Sequence, residues 1–391
     1  MSTGHLDQLL LGIADAQVAA TPGAGRIVVS GLTLDSRRVR RGDAFFALRG
    51  QHGHGIEFAA GAVQRGAEVV LAEAPEVELP ALEVPVLWID GLHAQASEIA
   101  ARFYERPSEA MRVVGITGTN GKTSCVQLLA QALSLLGHRA ATIGTLGAGL
   151  HGKLREGERT TPDAISVQGL LAEFRDAGSS HVAMEVSSHA LEQGRVDAVD
   201  FELAVFTNLT RDHLDYHGSM EAYGAAKAKL FGWPGLQCAV INIDDAFGAE
   251  LVARLDGGVK LLRFSMADRG DAEIAASEIV TSAEGLQFNM RTPWGTRALG
   301  SRLLGRFNVA NLLVVAACLG ALGESFERIV RTIESLQPVN GRMNRLGGLQ
   351  GAPLVVVDYA HTPDALEQAL TALRAHCAGR LICVFGCGGE R

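Results

Sequence analysis

Hydrophobic and polar positions follow two different periods along the chain. Short apolar runs such as HVAMEV, ELAVFTN and CAVINID predict buried strands. Between them, apolar residues recur at helical spacing, as after Lys122, where Val126, Leu129 and Leu133 share one predicted face. This alternation predicts an α/β protein with a mainly parallel sheet and helices on its faces.

Two breaks in the pattern divide the chain into three predicted domains. The stretches RFYERPSEAMR and LQPVNGRMNRLGG interrupt it, and we expect domains at residues 1–105, 106–337 and 338–391. The last contains a predicted strand (PLVVVDYA), a helix (TPDALEQALTALRAH) and a second strand (RLICVFGCGG). Because one β–α–β unit buries too little apolar surface to fold alone, we expect this third domain to be incomplete.

The stretch GTNGKT predicts a phosphate-binding loop between a strand that ends near Ile116 and a helix that begins at Lys122. Glycines bring backbone N–H groups to a phosphate, the helix amino end adds positive charge, and the lysine reaches the terminal phosphates. Ile116 stands where the strict P-loop pattern has glycine, so a plain turn before a surface lysine is the alternative. The candidate residues are Gly118, Thr119, Asn120, Gly121, Lys122, Thr123 and Ser124.

Polar side chains follow two further predicted strands. Glu185 ends one of them, and Asn208, Asp212 and His213 follow the other. Ligands of open α/β sheets bind at the carboxyl ends of strands, where a carboxylate can hold Mg²⁺. The alternatives are a surface carboxylate at Glu185 and a loop or capping histidine at His213.

Two groups of basic residues are ambiguous from pattern alone. In the predicted helix SMEAYGAAKAKLF, Lys227 lies among alanines, and such a lysine is usually exposed. The apolar side of this predicted helix consists of Ala222, Ala225, Ala226 and Leu230. The second group, LDSRRVRR near the amino terminus, either contacts a pyrophosphate or forms a solvated turn.

Composition narrows the class of protein. Hydrophobic residues make up 47% of the 391 positions and charged residues 20%, which fits a globular chain of two or three domains. The net charge of −8 argues against nucleic acid as a partner. No apolar run is long enough to span a membrane, the amino terminus lacks a secretion-signal pattern, and the cysteines are scattered. We therefore expect a cytoplasmic protein with no membrane partner.

Taken together, the motifs resemble a known family. GTNGKT, TTPDA, MEVSSHAL, FTNLTRDHLDYHG, AAKAKLF, GRFNVAN, NGRM, DYAHTPD and FGCGGER occur here in one order and resemble the Mur ligases of bacterial cell-wall synthesis. The resemblance is closest to the members that add the third amino acid to UDP-N-acetylmuramoyl-L-alanyl-D-glutamate. It covers the whole chain and roughly the first four-fifths of such a protein. It implies an N-terminal UDP-sugar-binding domain, a central P-loop ATPase domain and a Rossmann-like C-terminal domain.

The resemblance implies an ADP-forming amide ligase. In the family, ATP phosphorylates the substrate's terminal carboxylate, and the incoming amine attacks the acyl phosphate, which releases phosphate. The implied partners are the UDP-sugar dipeptide, ATP and a diamino acid, with Mg²⁺ as cofactor, and we expect a monomer. The segment that selects the amino acid is expected beyond residue 391. This leaves meso-diaminopimelate and L-lysine open, and we favour meso-diaminopimelate because it is the commoner choice in the family.

The resemblance also implies roles for individual residues. Lys122 would contact the phosphates, and Thr123 and Glu185 would bind one Mg²⁺. His213 and Lys227 would bind a second, with Lys227 carbamylated by CO₂ into an oxygen ligand. The positions that match UDP-sugar contacts are Ser36, Thr160, Thr161, Ser187, Gln193 and Arg195. Asn311, Arg342 and Asp358 match nucleotide contacts, and Arg391 matches an arginine near the incoming amino acid.

The sequence departs from the family pattern at two places and leaves two other functions open. Asn344 replaces an expected acidic residue, and Gln51–Gly53 differs from the triplet expected to contact uracil. A folylpolyglutamate synthase relative would share the ATPase core, although LDSR and RDHLDYHG favour the sugar-nucleotide ligase. A nucleotide-binding module without turnover is the alternative of another class.

Overall fold

A computed structural model describes residues 3–50, 53–75, 82–347, 353–360 and 363–386. The chain forms two compact units, each assembled from separate stretches. The first comprises residues 1–112, 157–178 and 186–200, and the second comprises residues 113–156, 179–185 and 201–391. Among the described residues, no helix is both long and apolar enough to cross a membrane.

The elements alternate in type along most of the chain. The strands are β1 (Gly4–His5), β2 (Val28–Val29), β3 (Gly31–Thr33), β4 (Asp43–Ala47), β5 (Val69–Glu73), β6 (Val86–Ile89), β7 (Arg112–Thr117), β8 (Ala140–Gly144), β9 (Gly147–Leu150), β10 (Lys153–Arg155), β11 (His181–Glu185), β12 (Leu203–Phe206), β13 (Cys238–Asn242), β14 (Lys260–Ser265), β15 (Ile274–Ser282), β16 (Gly285–Thr292), β17 (Gly295–Ser301), β18 (Asn344–Gly347) and β19 (Leu354–Val357). The α-helices are α1 (Leu6–Leu9), α2 (Asp15–Ala20), α3 (Ala59–Gln64), α4 (Leu92–Phe103), α5 (Lys122–Leu135), α6 (Ala164–Asp176), α7 (Ser188–Glu192), α8 (Leu214–His217), α9 (Met220–Ala228), α10 (Ala246–Arg254), α11 (Phe307–Ala321), α12 (Phe326–Ser335) and α13 (Pro363–Arg374). Short 3₁₀ helices span Ala24–Arg26, Ser36–Arg38, Gly55–Phe58, Pro107–Ala110 and Lys229–Gly232.

The first unit is built on a parallel sheet in the order β3–β4–β5–β6. Every residue of β4 is buried, as expected for an inner strand of a parallel sheet that is covered on both faces. Phe46 of β4 lies opposite Leu71 of β5, and both belong to a core that also contains Ile99 of α4. This sheet positions the loop that begins at Asp35.

The second unit is built on an eleven-stranded sheet in the order β10–β9–β8–β11–β7–β12–β13–β14–β15–β16–β17. Strands β12 to β15 pair in parallel, as do β7 with β12 and β8 with β11, whereas β8–β9–β10 and β15–β16–β17 are antiparallel. Helix α11 is apolar on all sides and packs against α5 in the core, which explains why Leu312 and Leu319 are fully buried. The sheet brings the ends of its neighbouring strands β11, β7 and β12 side by side.

Most predicted elements are confirmed. HVAMEV forms β11, ELAVFTN forms β12, CAVINID forms β13, and the helix after GTNGKT is α5. The α/β class is also confirmed. The apolar runs did not predict the antiparallel strands β15, β16 and β17, since an antiparallel extension of a parallel sheet leaves no separate mark in such runs.

Beyond residue 340, the predicted strand in PLVVVDYA and the helix that follows it are confirmed as β19 and α13, but the second strand of the predicted β–α–β unit is wrong. Strand β19 instead pairs with β18 in antiparallel orientation. The described part of RLICVFGCGG, residues 380–386, is not a strand, and Ile382, Val384 and Phe385 are exposed. A strand needs a neighbour for its backbone hydrogen bonds, and this stretch has none among the described residues.

Candidate active site

The glycine loop has the backbone that a phosphate-binding loop requires. Strand β7 ends at Thr117 and α5 begins at Lys122, as predicted. Gly118 and Gly121 have φ values of 141° and 88°, a region that disfavours residues with side chains. A Cβ atom on Gly118 would lie 1.9 Å from Thr207 Oγ1, so only glycine fits there. An anion can therefore approach the loop closely and accept hydrogen bonds from the N–H groups at the start of α5.

Lys122 lies over its own loop. Its Nζ atom donates to the carbonyl oxygens of Gly118 and Thr119, each at 2.8 Å. Burial lowers its pKa, although the carboxylate of Glu185 acts in the opposite direction. This geometry contradicts the alternative of an ordinary surface lysine and puts a cation where terminal phosphates would bind.

A strap formed by Thr207–Thr210 holds the loop in place. The Thr119 N–H donates to the Asn208 carbonyl at 2.8 Å, and the Asn120 N–H donates to Asn208 Oδ1 at 2.9 Å. The Thr210 N–H donates to Thr119 Oγ1 at 3.0 Å. Sequence reasoning identified Asn208 after its strand but missed Thr207 and Thr210, for which the polar run FTNLT was the available signal. The strap ties the ends of β7 and β12 together around the loop.

Glu185 is buried beside the start of α5. It is only 1% exposed, so the alternative of a surface carboxylate is wrong. Its Oε2 atom accepts a hydrogen bond from Thr123 Oγ1 at 3.1 Å, and its Oε1 atom accepts one from the Thr145 N–H at 2.8 Å. Gly144 leaves room for the carboxylate, since a Cβ atom there would lie 2.4 Å from Oε1. A hydroxyl and a carboxylate oxygen are thus adjacent, which is a ligand pair that suits Mg²⁺.

Lys227 is also buried, so the pattern-based prediction of an exposed lysine is wrong. It is 1% exposed, its Nζ atom donates to the Gly118 carbonyl at 3.0 Å, and it lies 4.2 Å from the centre of the Tyr223 ring. Burial, followed by the positive charge of Lys122, holds the pKa of Lys227 well below its usual value of 10.5. This shift raises the share of the neutral amine, which is the form that reacts with CO₂.

The predicted apolar side of α9 is only partly correct, since Ala226 and Leu230 are buried as predicted. Ala222 and Ala225 are exposed, whereas Tyr223, Gly224 and Lys227 are buried. The reason lies at Gly224, where a Cβ atom would lie 2.6 Å from the Phe247 ring. A bare backbone lets that ring pack closely and turns the Lys227 face of the helix inward.

His213 is close to the same tyrosine but more open. Its backbone has a φ of 50°, its side chain is 48% exposed, and its ring centre lies 6.1 Å from that of Tyr223. Nε2 lies 3.5 Å from Asp212 Oδ2. Within the described residues, no group of three or more His, Cys, Asp or Glu side chains is arranged to hold a metal ion. Thr123, whose hydroxyl lies beside Glu185, is not one of these four residue types.

Asn311 and Arg342 lie next to the glycine loop. Asn311 Oδ1 accepts from the Cys125 thiol at 3.2 Å and would lie 3.0 Å from a Cβ atom on Gly121. Arg342 Nη2 lies 3.5 Å from Thr123 Oγ1, and its buried Nε atom has no hydrogen-bond partner among the described residues. This unsatisfied donor fits an anionic or polar ligand beside Thr123. Asp358 is exposed and accepts the Met343 N–H at 2.9 Å.

We use the name phosphate site for residues 118–124 together with Glu185 and Lys227. The structure brings all of these together, with Asn311 and Arg342 at the border. Ser124 lies in the first turn of α5 and is buried.

A second polar group, the Thr161 cluster, lies in the first unit and consists of Thr161, Ser187, Gln193 and Arg195. The Ser187 N–H donates to Thr161 Oγ1 at 3.1 Å, and Arg195 Nη1 donates to the Thr161 carbonyl at 2.8 Å. Arg195 Nε also donates to Gln193 Oε1 at 3.0 Å. Four of the predicted UDP-sugar residues therefore form one hydrogen-bonded group.

The remaining predicted residues lie elsewhere or outside the described range. Thr160 precedes the Thr161 cluster in sequence, and Ser36 is the first residue of a 3₁₀ helix in the same unit. Next to Ser36, the Arg37 guanidinium pairs with Asp35 at 2.9 Å. Arg391 and Gln51 lie outside the described residues.

Comparisons with known proteins identify the family of the chain. A family model described as the Mur ligase middle domain matches residues 116–319, one for the glutamate ligase domain of Mur ligases matches 341–391, and one for the Mur ligase family catalytic domain matches 28–104. The chain is 56% identical over 366 residues to a UDP-N-acetylmuramoyl-L-alanyl-D-glutamate--2,6-diaminopimelate ligase of Xanthomonas campestris pv. campestris, which covers 93% of this chain and 74% of that protein. An Ectopseudomonas mendocina protein of the same name is 53% identical over 93% of this chain and 74% of its own length.

Solved structures show the same fold. The structure of a protein with that same name superimposes with a TM-score of 0.82 at 34% identity and covers 100% of this chain and 78% of that one. A folylpolyglutamate synthase from Mycobacterium tuberculosis, complexed with ADP and AMPPCP, has a TM-score of 0.58 at 18% identity over 72% of this chain and 70% of that one. The second likeness concerns the fold alone and is limited to the shared part of the architecture.

Proposed function

The chain belongs to the Mur ligase family, and we propose that it is an ADP-forming ligase that joins meso-diaminopimelate to UDP-N-acetylmuramoyl-L-alanyl-D-glutamate. The observation that carries this proposal is the phosphate site, where Lys122 lies over the glycine loop and Thr123 meets the buried Glu185. The relatives that bear the name of this reaction are 50–56% identical to the chain, which supports the substrate.

ATP would bind with its terminal phosphates in the glycine loop. The N–H groups at the start of α5 would donate to phosphate oxygens. Lys122 would give up its two carbonyl contacts and instead contact the negatively charged transferred group. Asn311, Arg342 and Asp358 would contact the rest of the nucleotide, and the unsatisfied Nε atom of Arg342 supports this role. Little covalent chemistry is asked of the protein, since positioning and charge neutralisation supply most of the rate.

Thr123 and Glu185 would hold one Mg²⁺, because their oxygen atoms are adjacent and buried. The ion would supply positive charge to the phosphates. The backbone and hydroxyl of Thr145 fix the carboxylate, with Thr145 Oγ1 lying 3.2 Å from Glu185 Oε2. Glu185 is therefore oriented before any ligand arrives.

Lys227 would be carbamylated and, with His213, bind a second Mg²⁺. The modification removes a buried positive charge that lies next to Lys122, and the lowered pKa of Lys227 supports it. An unmodified lysine keeps a cation at this place and cannot serve as a metal ligand.

The UDP-sugar dipeptide would bind through Ser36, Thr160 and the Thr161 cluster. Arg195 offers a fixed guanidinium for an anionic group, since its contacts with Gln193 and Thr161 orient it. Arg391 would approach the incoming amino acid. We favour diaminopimelate over L-lysine because the similar proteins carry 2,6-diaminopimelate in their names.

We further propose a cytoplasmic monomer with domains at residues 1–105, 106–337 and 338–391. Three separate family models, matching residues 28–104, 116–319 and 341–391, support this division. ATP as a substrate supports the location. Sedimentation equilibrium of the purified full-length protein tests the monomer.

The decisive experiment measures phosphate release by the full-length protein with UDP-N-acetylmuramoyl-L-alanyl-D-glutamate and ATP. We expect release and a tripeptide product with meso-diaminopimelate, and much slower release with L-lysine. Faster turnover with L-lysine would overturn the choice of amino acid. Turnover of a reduced folate with glutamate, and none with the UDP-sugar dipeptide, would overturn the ligase assignment in favour of the folylpolyglutamate alternative.

A further inference from the structure

His376 makes one buried and one partly buried hydrogen bond that the proposed function does not use. It follows α13 and is 5% exposed. Its Nε2 atom lies 2.8 Å from the backbone nitrogen of Gly305, and its Nδ1 atom lies 2.6 Å from the carbonyl oxygen of Ser282. A carbonyl only accepts and a backbone N–H only donates, so Nδ1 carries the proton and Nε2 is the acceptor. The two hydrogen bonds therefore fix which ring nitrogen donates and which accepts.

From Gly305 a continuous path of hydrogen bonds leads to the phosphate helix α5. The Asn308 N–H donates to the Gly305 carbonyl at 2.9 Å, and Asn311 Nδ2 donates to Asn308 Oδ1 at 2.7 Å. The Cys125 thiol of α5 donates to Asn311 Oδ1 at 3.2 Å. Each step is direct, and Asn308, Asn311 and Cys125 are all at most 5% exposed. The position of Gly305 therefore bears on the position of Asn311.

The segment that precedes His376 in sequence carries the other proposed nucleotide contacts, Arg342 and Asp358. Met343 packs with Leu304 and Ala369 in a small buried cluster, next to Arg342. Asp358 accepts the Met343 N–H, which fixes the turn that follows Arg342. The described part of the segment 341–376 thus contacts the rest of the unit at several places, which include Arg342 at Thr123 and His376 at Gly305. Arg345 also donates to the Glu284 carbonyl, and the Ala375 carbonyl accepts from Thr281 Oγ1.

We propose that His376 is a positioning residue for the nucleotide site. Its imidazole joins the amino end of α11, which carries Asn311, to the segment that carries Arg342 and Asp358. The two sets of nucleotide contacts then keep one relative position before ATP binds. This proposal rests on the proposed function, because it takes ATP as the ligand of those contacts.

Two substitutions test the two hydrogen bonds of the imidazole separately. The amide of H376Q reaches the place of Nε2, so its oxygen can accept the Gly305 N–H. The shorter amide of H376N reaches the place of Nδ1, so it keeps a donor for Ser282 and leaves the Gly305 N–H without an acceptor. We expect H376N to raise the ATP KM, and the Kd of a fluorescent ADP analogue, by about tenfold, the effect of one lost buried hydrogen bond. We expect kcat to stay within about twofold and H376Q to restore both constants.

The control is H181N, which alters another buried histidine of the same unit at the opposite end of β11 from Glu185. It should lower the melting temperature without changing the nucleotide constants. Equal constants for wild type and H376N would overturn the proposal, as would equal rises in H376N and H376Q. If the wild-type protein binds the analogue but forms no tripeptide, the ligase assignment fails while the Kd ratios still decide the role of His376.

Discussion

The phosphate site and the Thr161 cluster are both polar, but their basic side chains have different hydrogen-bond partners. In the phosphate site, Lys122 and Lys227 donate to the backbone carbonyl of Gly118, and burial lowers the pKa of each. In the Thr161 cluster, Arg195 donates to a neighbouring side chain as well as to a carbonyl. The first arrangement places Lys122 where it can exchange its carbonyl partners for phosphate. The second gives a fixed surface on which a substrate can be oriented.

This difference predicts different kinetic effects. Substitutions in the phosphate site should lower kcat, because charge develops there during phosphoryl transfer. Substitutions in the Thr161 cluster should raise the KM of the UDP-sugar dipeptide and leave kcat nearly unchanged, because binding there is the same before and during the reaction.

The largest effect is expected for Lys122→Ala. Loss of the cation next to the transferred phosphate should lower kcat by about 10³-fold with the fold intact. Phosphate release under saturating substrates measures the effect, and circular dichroism checks the fold. The exposed Lys153→Ala serves as control. A kcat within about tenfold of wild type would contradict the proposed role of the phosphate site in phosphoryl transfer.

Lys227→Ala should lower kcat by about 10²-fold, and short carboxylates such as formate should restore part of it. Lys227→Arg should stay inactive, since a guanidinium can be neither carbamylated nor a metal ligand. The exposed Lys229→Ala, two residues away, should match wild type. Mass spectrometry under native conditions tests the modification directly. An active arginine variant would show that the carbamate is not required.

Gly118→Ala should lower kcat/KM for ATP by about 100-fold, because the new methyl group would overlap Thr207 Oγ1 and displace the loop. Gly137→Ala is the matched control. Gly137 has a φ of 92°, but apart from its chain neighbours no described residue has an atom within 4 Å of the place that its new methyl group would occupy, so it tests backbone strain without the overlap. Equal losses in the two variants would assign the effect to strain alone.

Arg195→Lys should raise the KM of the UDP-sugar dipeptide by about tenfold and leave the KM of ATP unchanged. A lysine cannot reproduce the two oriented contacts with Gln193 and Thr161. Arg65→Lys is the control, since the Arg65 guanidinium donates to the Gly61 carbonyl of α3 at 2.9 Å in an exposed position. A loss confined to kcat would remove the distinction between the two sites.

The smallest effect concerns stability in CO₂-free buffer. The pKa of Lys227 is lowered in the folded protein, so between that value and 10.5 the unfolded chain binds more protons. The free energy of unfolding should therefore rise with pH in this window and become independent of this group below it. Lys227→Met should remove that dependence and raise the melting temperature below the window by about 3 °C. An identical pH profile for the variant would show that the buried amine is not the cause.

The sequence was sufficient for features that local residues determine. The loop from Gly118 to Lys122 was predicted correctly because glycines and a helix start act within a few residues. The placement of Glu185 at the end of a strand followed from its apolar run. The pairing of Thr145 with Glu185 could not be predicted, because it joins positions 40 residues apart.

The burial of Lys227 shows why other features of the site could not be predicted from the sequence pattern. Helical spacing puts this lysine among alanines, and only the rings of Tyr223 and Phe247 decide which face of α9 turns inward. The same holds for His376, which no motif marks and whose partners are backbone atoms of two distant segments. Tertiary contacts of this kind leave no trace in the period of a single helix.

The carbonyl of Gly118 makes the two lysines thermodynamically inseparable. Both donate to this one oxygen, and the charge of Lys122 helps to lower the pKa of Lys227. Removing either side chain frees the acceptor for the other. The losses from single substitutions at these positions will therefore not add in the double variant, and the deviation from additivity measures how strongly the two side chains are coupled.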